Sequence, residues 1–134
     1  MRKEKILSHL KKKYKRALDI GAGEGFITKD LPAKEIYAYE ISDNASERLP
    51  KNVKRILKPD GKYDLIIATG VLYPQYNAKE ILDIIKTHAS GTILLSNIAD
   101  WEVKDVEELG VPLLVEEYPY REYTQRLRIY EVGS

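Results

Sequence analysis

Cysteine is absent from this chain of 134 residues. Disulfides, thiolate metal sites and cysteine nucleophiles are therefore excluded, and nothing indicates an oxidising compartment. Only two histidines occur, His9 and His88, and their separation in sequence gives no reason to expect a metal site. Net charge is nearly absent too, at +1, which argues against a protein built mainly to coat nucleic acid or an acidic surface. No apolar run approaches the roughly 20 residues of a membrane span, and the basic N-terminal segment lacks the apolar centre of a signal peptide. The expectation is a soluble, cytoplasmic protein forming one domain over residues 1–134, with substrate-binding parts confined to loops or short insertions.

What is present is organised around Ala17-Leu18-Asp19-Ile20-Gly21-Ala22-Gly23-Glu24-Gly25. An apolar run gives way within a few residues to glycines at alternate positions. The first part reads as a buried strand, and the glycines let the backbone turn sharply and approach a ligand closely. Phe26 to Leu31 then reads as a helix whose free N–H groups point back at the turn.

Before this unit, Ile6, Leu7, Leu10 and Tyr14 suit one face of an amphipathic helix over residues 2–16, with lysines and arginines on the other. After it, the alternation of residues 35–41 predicts a second strand ending on Glu40, and residues 42–49 a short helix. Residues 53–57 predict a third strand. The turn Pro59-Asp60-Gly61 follows at once, leaving little room for a helix between strands three and four. Tyr63 to Thr69 is apolar enough for a central parallel strand. A loop, Gly70–Asn77, leads to a helix over residues 78–88, and residues 91–97 form strand five. A short helix over 102–109 ends at Gly110. Residues 111–116 and 125–132 predict a closing antiparallel pair joined by a tyrosine-rich connection, Tyr118–Thr124. This order defines an α/β fold: a Rossmann-like, doubly wound, mostly parallel seven-stranded sheet with a C-terminal antiparallel hairpin and a reduced helix between strands three and four. Ligands bind such sheets beyond the carboxyl ends of the strands, at the switch point between strands one and four.

The glycine stretch after Asp19, the acid ending strand two, the Tyr63–Thr69 strand and the closing hairpin together resemble the class I S-adenosylmethionine-dependent methyltransferases. Gly70-Val71-Leu72-Tyr73 and the tyrosine-rich C-terminal region are also similar to the small-molecule N-methyltransferase branch typified by NodS-like proteins. The resemblance implies S-adenosylmethionine as cofactor and transfer of its methyl group to a small-molecule or protein acceptor. It assigns cofactor binding to Asp19, Gly21, Ala22, Gly23, Glu24, Gly25, Glu40, Ile41, Asp60, Thr69 and Gly70. Asp19 fixes the glycine turn or binds the cofactor's ammonium group. Glu40 accepts the ribose hydroxyls, Ile41 lies against the adenine, and Asp60 either meets the exocyclic amine or simply forms its turn. Thr69 and Gly70 match positions that hold the methionine end.

Substrate contacts are expected from loops at the carboxyl edge carrying Tyr73, Tyr76, Trp101, Tyr118, Tyr120 and Tyr123, which either line an aromatic pocket or cover the sheet edge. Tyr73 and Asp100 are the candidates for a general base. His88, ending a helix, reads as structural. Methyl transfer relies chiefly on in-line positioning, so a base is optional. Two alternatives stand beside this reading. One is a methyltransferase-like module that binds the cofactor weakly or not at all and serves as a partner subunit, the partner also able to supply the substrate site, with a homodimer as the alternative assembly. The other is an RNA methyltransferase guided by the basic first helix. A nicotinamide-binding protein fits less well, because the glycines run Gly-x-Gly-x-Gly and an acid precedes them.

Overall fold

The computed structural model describes residues 2–10, 12–21, 27–39, 49–69, 78–99, 104–120 and 122–132. Its centre is β1 (Tyr14–Ile20), whose last four residues are all buried, as a parallel strand covered on both faces requires. Around it lie β2 (Ala33–Tyr39), β3 (Val53–Ile56), β4 (Tyr63–Thr69), β5 (Ala89–Ile98), β6 (Leu114–Tyr120) and β7 (Tyr123–Glu131). They form one seven-stranded sheet in the order β3-β2-β1-β4-β5-β7-β6. The first five strands pair in parallel, and β7 runs antiparallel between β5 and β6. This is the doubly wound sheet with a closing hairpin that the sequence predicts, and its switch point falls between β1 and β4.

Alternation along the strands gives each face its own core. On one face, Leu18, Ile66, Ile93 and Leu95 pack with Ile81, Leu82 and Ile85 of α2 (Ala78–His88) and with Val106. On the other, Ala17, Leu65, Ile67, Leu94 and Leu127 pack with Ile6 of α1 (Arg2–Ser8), Leu10, Ile27 and Leu31. Among the described residues, no helix is long and apolar enough to cross a membrane.

Several boundaries differ from expectation. The lead-in helix stops at Ser8, and Tyr14, Lys15 and Arg16 belong to β1. Hydrogen bonding from elsewhere in the chain decides this. Tyr14 donates its N–H to the Pro32 carbonyl at 2.8 Å, while the N–H groups of Lys15 and Arg16 each reach the Asp64 carboxylate at 2.9 Å. The described part of the segment after the glycine turn is a single 3₁₀ turn, Thr28–Asp30, ahead of Pro32. Lys104–Leu109 is likewise 3₁₀ and not α-helical, a geometry favoured in runs too short for a ladder of i→i+4 bonds. The hairpin is tighter than expected. Tyr118, Pro119 and Tyr120 pair with Gln125, Thr124 and Tyr123, which leaves only Arg121 and Glu122 between the strands. Pro119 is tolerated because β6 is an edge strand.

Between β3 and β4 the chain crosses without a helix, as the Pro-Asp-Gly turn implies. Arg16 holds this strap. Its guanidinium lies 4.4 Å from the Tyr63 ring centre and 5.1 Å from that of Tyr37. It donates to the Lys62 carbonyl at 2.7 Å and to the Asp60 carbonyl at 3.2 Å.

Candidate active site

The strand register brings the carboxyl ends together: Ile20 lies beside Tyr39 and Ala68, and Thr69 beside Ser96. Gly21 follows β1 with φ of 70°, a conformation costly for a residue with a Cβ. Its N–H donates to the Tyr39 carbonyl at 2.9 Å, tying the start of the glycine turn to the end of β2. Beneath the turn, Asp19 is 2% exposed and accepts a 2.6 Å hydrogen bond from the buried Thr28 hydroxyl. A carboxylate held this way is oriented by bonds stronger than those between neutral groups. Sequence reasoning did not single out Thr28; its signal is a hydroxyl between apolar Ile27 and the charged pair Lys29-Asp30.

Thr69 is the half-buried last residue of β4. Asp60 lies in the strap between β3 and β4, at the turn Pro59-Asp60-Gly61. Its N–H donates to the Tyr63 hydroxyl at 3.1 Å and its carbonyl is taken by Arg16, so its main chain is tied to residues from the first halves of β1 and β4. The missing helix is the reason: the short strap runs straight back toward the start of β4. Ala22, Gly23, Glu24, Gly25, Glu40, Ile41, Gly70, Tyr73, Tyr76, Asp100 and Trp101 lie outside the described residues.

At the hairpin end of the same edge, Ile98 pairs with Gln125, and Ala99 donates its N–H to the Thr124 carbonyl at 2.8 Å. Since β6 runs parallel to the central strands, its turn falls at their carboxyl ends. Tyr123 there is 47% exposed. Tyr118 instead turns into the core, with its hydroxyl 2.8 Å from Ser96 Oγ, so it covers the sheet and does not line an open aromatic pocket. His88 sits at the start of β5, toward the opposite edge, with Nδ1 2.6 Å from the Gly61 carbonyl.

The strand order, left-handed Gly21 at the end of β1 and the buried acid two residues before it suit a methyltransferase. The family described as "Methyltransferase domain" matches residues 2–131, and the chain belongs to it. It is a class I S-adenosylmethionine-dependent methyltransferase, and S-adenosylmethionine is the cofactor of this family. No curated protein matches the chain. Among solved structures, magnesium protoporphyrin IX methyltransferase from Synechocystis PCC 6803, with bound S-adenosylhomocysteine, is similar with a TM-score of 0.82 and 16% identity over 97% of this chain and 81% of that one. TrmK of M. capricolum, in complex with the same cofactor product, gives 0.76 and 13% over 100% and 69%. The ribosomal protein L11 methylase from Lactobacillus delbrueckii subsp. bulgaricus gives 0.70 and 21% over 96% and 76%. These likenesses are of fold.

Proposed function

We propose that the chain transfers the methyl group of S-adenosylmethionine to a small-molecule or protein acceptor bound over the carboxyl ends of β4, β5 and the hairpin. One observation carries this reading: Gly21, left-handed and bonded to the end of β2, follows by two residues a buried carboxylate, Asp19, that Thr28 holds. That cradle suits a ligand with an amino-acid end and a ribose diol.

When bound, the cofactor supplies a methyl group activated on a sulfonium. Asp19, oriented by Thr28, would anchor the glycine turn or offer its negative charge to the cofactor's ammonium group. Glu40 follows Tyr39, whose carbonyl is fixed by Gly21, and receives the ribose hydroxyls. Ile41 covers the adenine, and Thr69 with Gly70 holds the methionine end. The chain's contribution is chiefly to orient the acceptor in line with the methyl group and to exclude water. Where the acceptor must lose a proton, Tyr73 or Asp100 takes it.

Calorimetric titration with S-adenosylhomocysteine, beside NAD, tests this. Wild type binds the homocysteine form, and Glu40→Ala weakens it tenfold or more, about 1.4 kcal/mol. Tight NAD binding, or binding of neither ligand, overturns the proposal.

A further inference from the structure

A buried carboxamide on the substrate side of the sheet has no structural task among the described residues. Gln125 is 5% exposed, and its Oε1 is fully buried without a hydrogen-bond partner. Nearby, the buried Thr28 hydroxyl bonds Asp19 and the Ser96 hydroxyl bonds Tyr118. Burying an amide oxygen without a partner costs about 1–3 kcal/mol, and an apolar residue of similar size avoids that cost. A buried polar group without a partner calls for a specific explanation, and a role at a functional site is one.

Its surroundings define the ligand. Gln125 pairs across the hairpin with Tyr118 and lies opposite Ile98 at the end of β5. Directly opposed residues share a face of the sheet, so the carboxamide stands beside the buried hydroxyl pair of Ser96 and Tyr118, 2.8 Å apart. Ser96 in turn neighbours Thr69, the β4 residue assigned to the methionine end. These three side chains are neutral and offer both donors and acceptors. A phosphate or carboxylate finds no countercharge in them, whereas an amide or hydroxyl bearing an N–H or O–H matches them.

We infer that Gln125, beside the closed Ser96–Tyr118 hydroxyl pair, positions the methyl acceptor, and that it takes an uncharged amide or hydroxyl group, its N–H or O–H donated to Gln125 Oε1. Gln125 acts as a positioning residue, not in proton transfer. This inference rests on the methyltransferase reading.

The test uses the full chain saturated with S-adenosylhomocysteine, a state whose failure to form would count against the cofactor reading and not against this subsite. Wild type, Gln125→Leu and Gln125→Met are compared by thermal unfolding and homocysteine-form binding. The Gln125 carboxamide signals, identified by their loss in the variants, are followed by ¹⁵N NMR during titration with acetamide and, separately, inorganic phosphate. The expected result is that both variants keep cofactor-product binding within twofold and unfold about 3 °C or more above wild type. In wild type, the carboxamide signals move saturably with acetamide and stay fixed with phosphate. Variants that unfold below wild type would give Gln125 a structural role and overturn the inference. So would carboxamide signals that ignore acetamide, or that respond equally to phosphate.

Discussion

Two buried side chains show how much single groups matter here. Thr28 donates 2.6 Å to Asp19 with both residues almost wholly buried, so Thr28→Val removes a hydrogen bond to a charged group without changing volume much. The expected loss is about 1.5–3 kcal/mol in urea unfolding, accompanied by weaker S-adenosylhomocysteine binding as Asp19 and the turn lose their anchor. Tyr130 is 3% exposed, and burial pushes its phenol above the ordinary value of 10.0. Its sign follows from linkage: above pH 10 the unfolded chain gives up this proton while the folded chain keeps it, so stability is complete below that pH and falls as pH rises further. Melting temperatures from pH 9 to 11 will therefore drop more steeply in wild type than in Tyr130→Phe.

Elements are locked to one another by a few unlike contacts. Asp64 leaves β4 to bond two successive N–H groups at the start of β1, and its carbonyl lies 2.5 Å from where a Cβ on Gly91 would stand. The β4–β5 register shifts at this same place, between Tyr63 and Leu65. Gly91→Ala will therefore push backbone against backbone and cost about 1–3 kcal/mol, measured by denaturant unfolding beside the exposed control Ser90→Ala. Arg16→Leu, which strips the strap of two hydrogen bonds and its ring contacts, will lower stability by about 2 kcal/mol while leaving the β1 ladder intact. Neither Asp64 nor Arg16 carries a signal in the sequence. Both lie in patterns that suit a solvated acid and a basic helix face, and only contacts across 48 residues of chain give them their work.

For the whole molecule, the strand order and the hairpin were legible because runs such as Leu65–Ala68 and Ile93–Leu95 are short, carry β-branched residues and follow closely on a glycine, which marks them as buried strands. The length of the first helix was not, because residues 2–16 satisfy helical spacing throughout and the outcome depends on Pro32 and Asp64. The buried acid Asp19 and the turning Gly21 at the end of β1 were legible. Ser96 and Gln125 were not, since a polar residue within a strand reads as solvent-facing until the opposite face is known. Ligand binding to the folded state alone raises stability by mass action, about 2.7 kcal/mol at a hundredfold excess over Kd. S-adenosylhomocysteine at that excess will raise the melting temperature by several degrees in wild type and by less in Asp19→Asn at the same concentration.

The position of β7 bears on how the chain is made. It is the last of the seven strands in chain order, yet it sits inside the sheet between β5 and β6. A nascent chain that has just exposed β6 holds the long strand β5 as a bare edge, with β6 unable to reach it, and such an edge invites pairing with neighbouring chains. The seven-stranded sheet closes only when residues 123–131 leave the ribosome, and that insertion also brings Gln125 beside Tyr118. Closure of the sheet and burial of Gln125 are thereby one event in the life of the polypeptide.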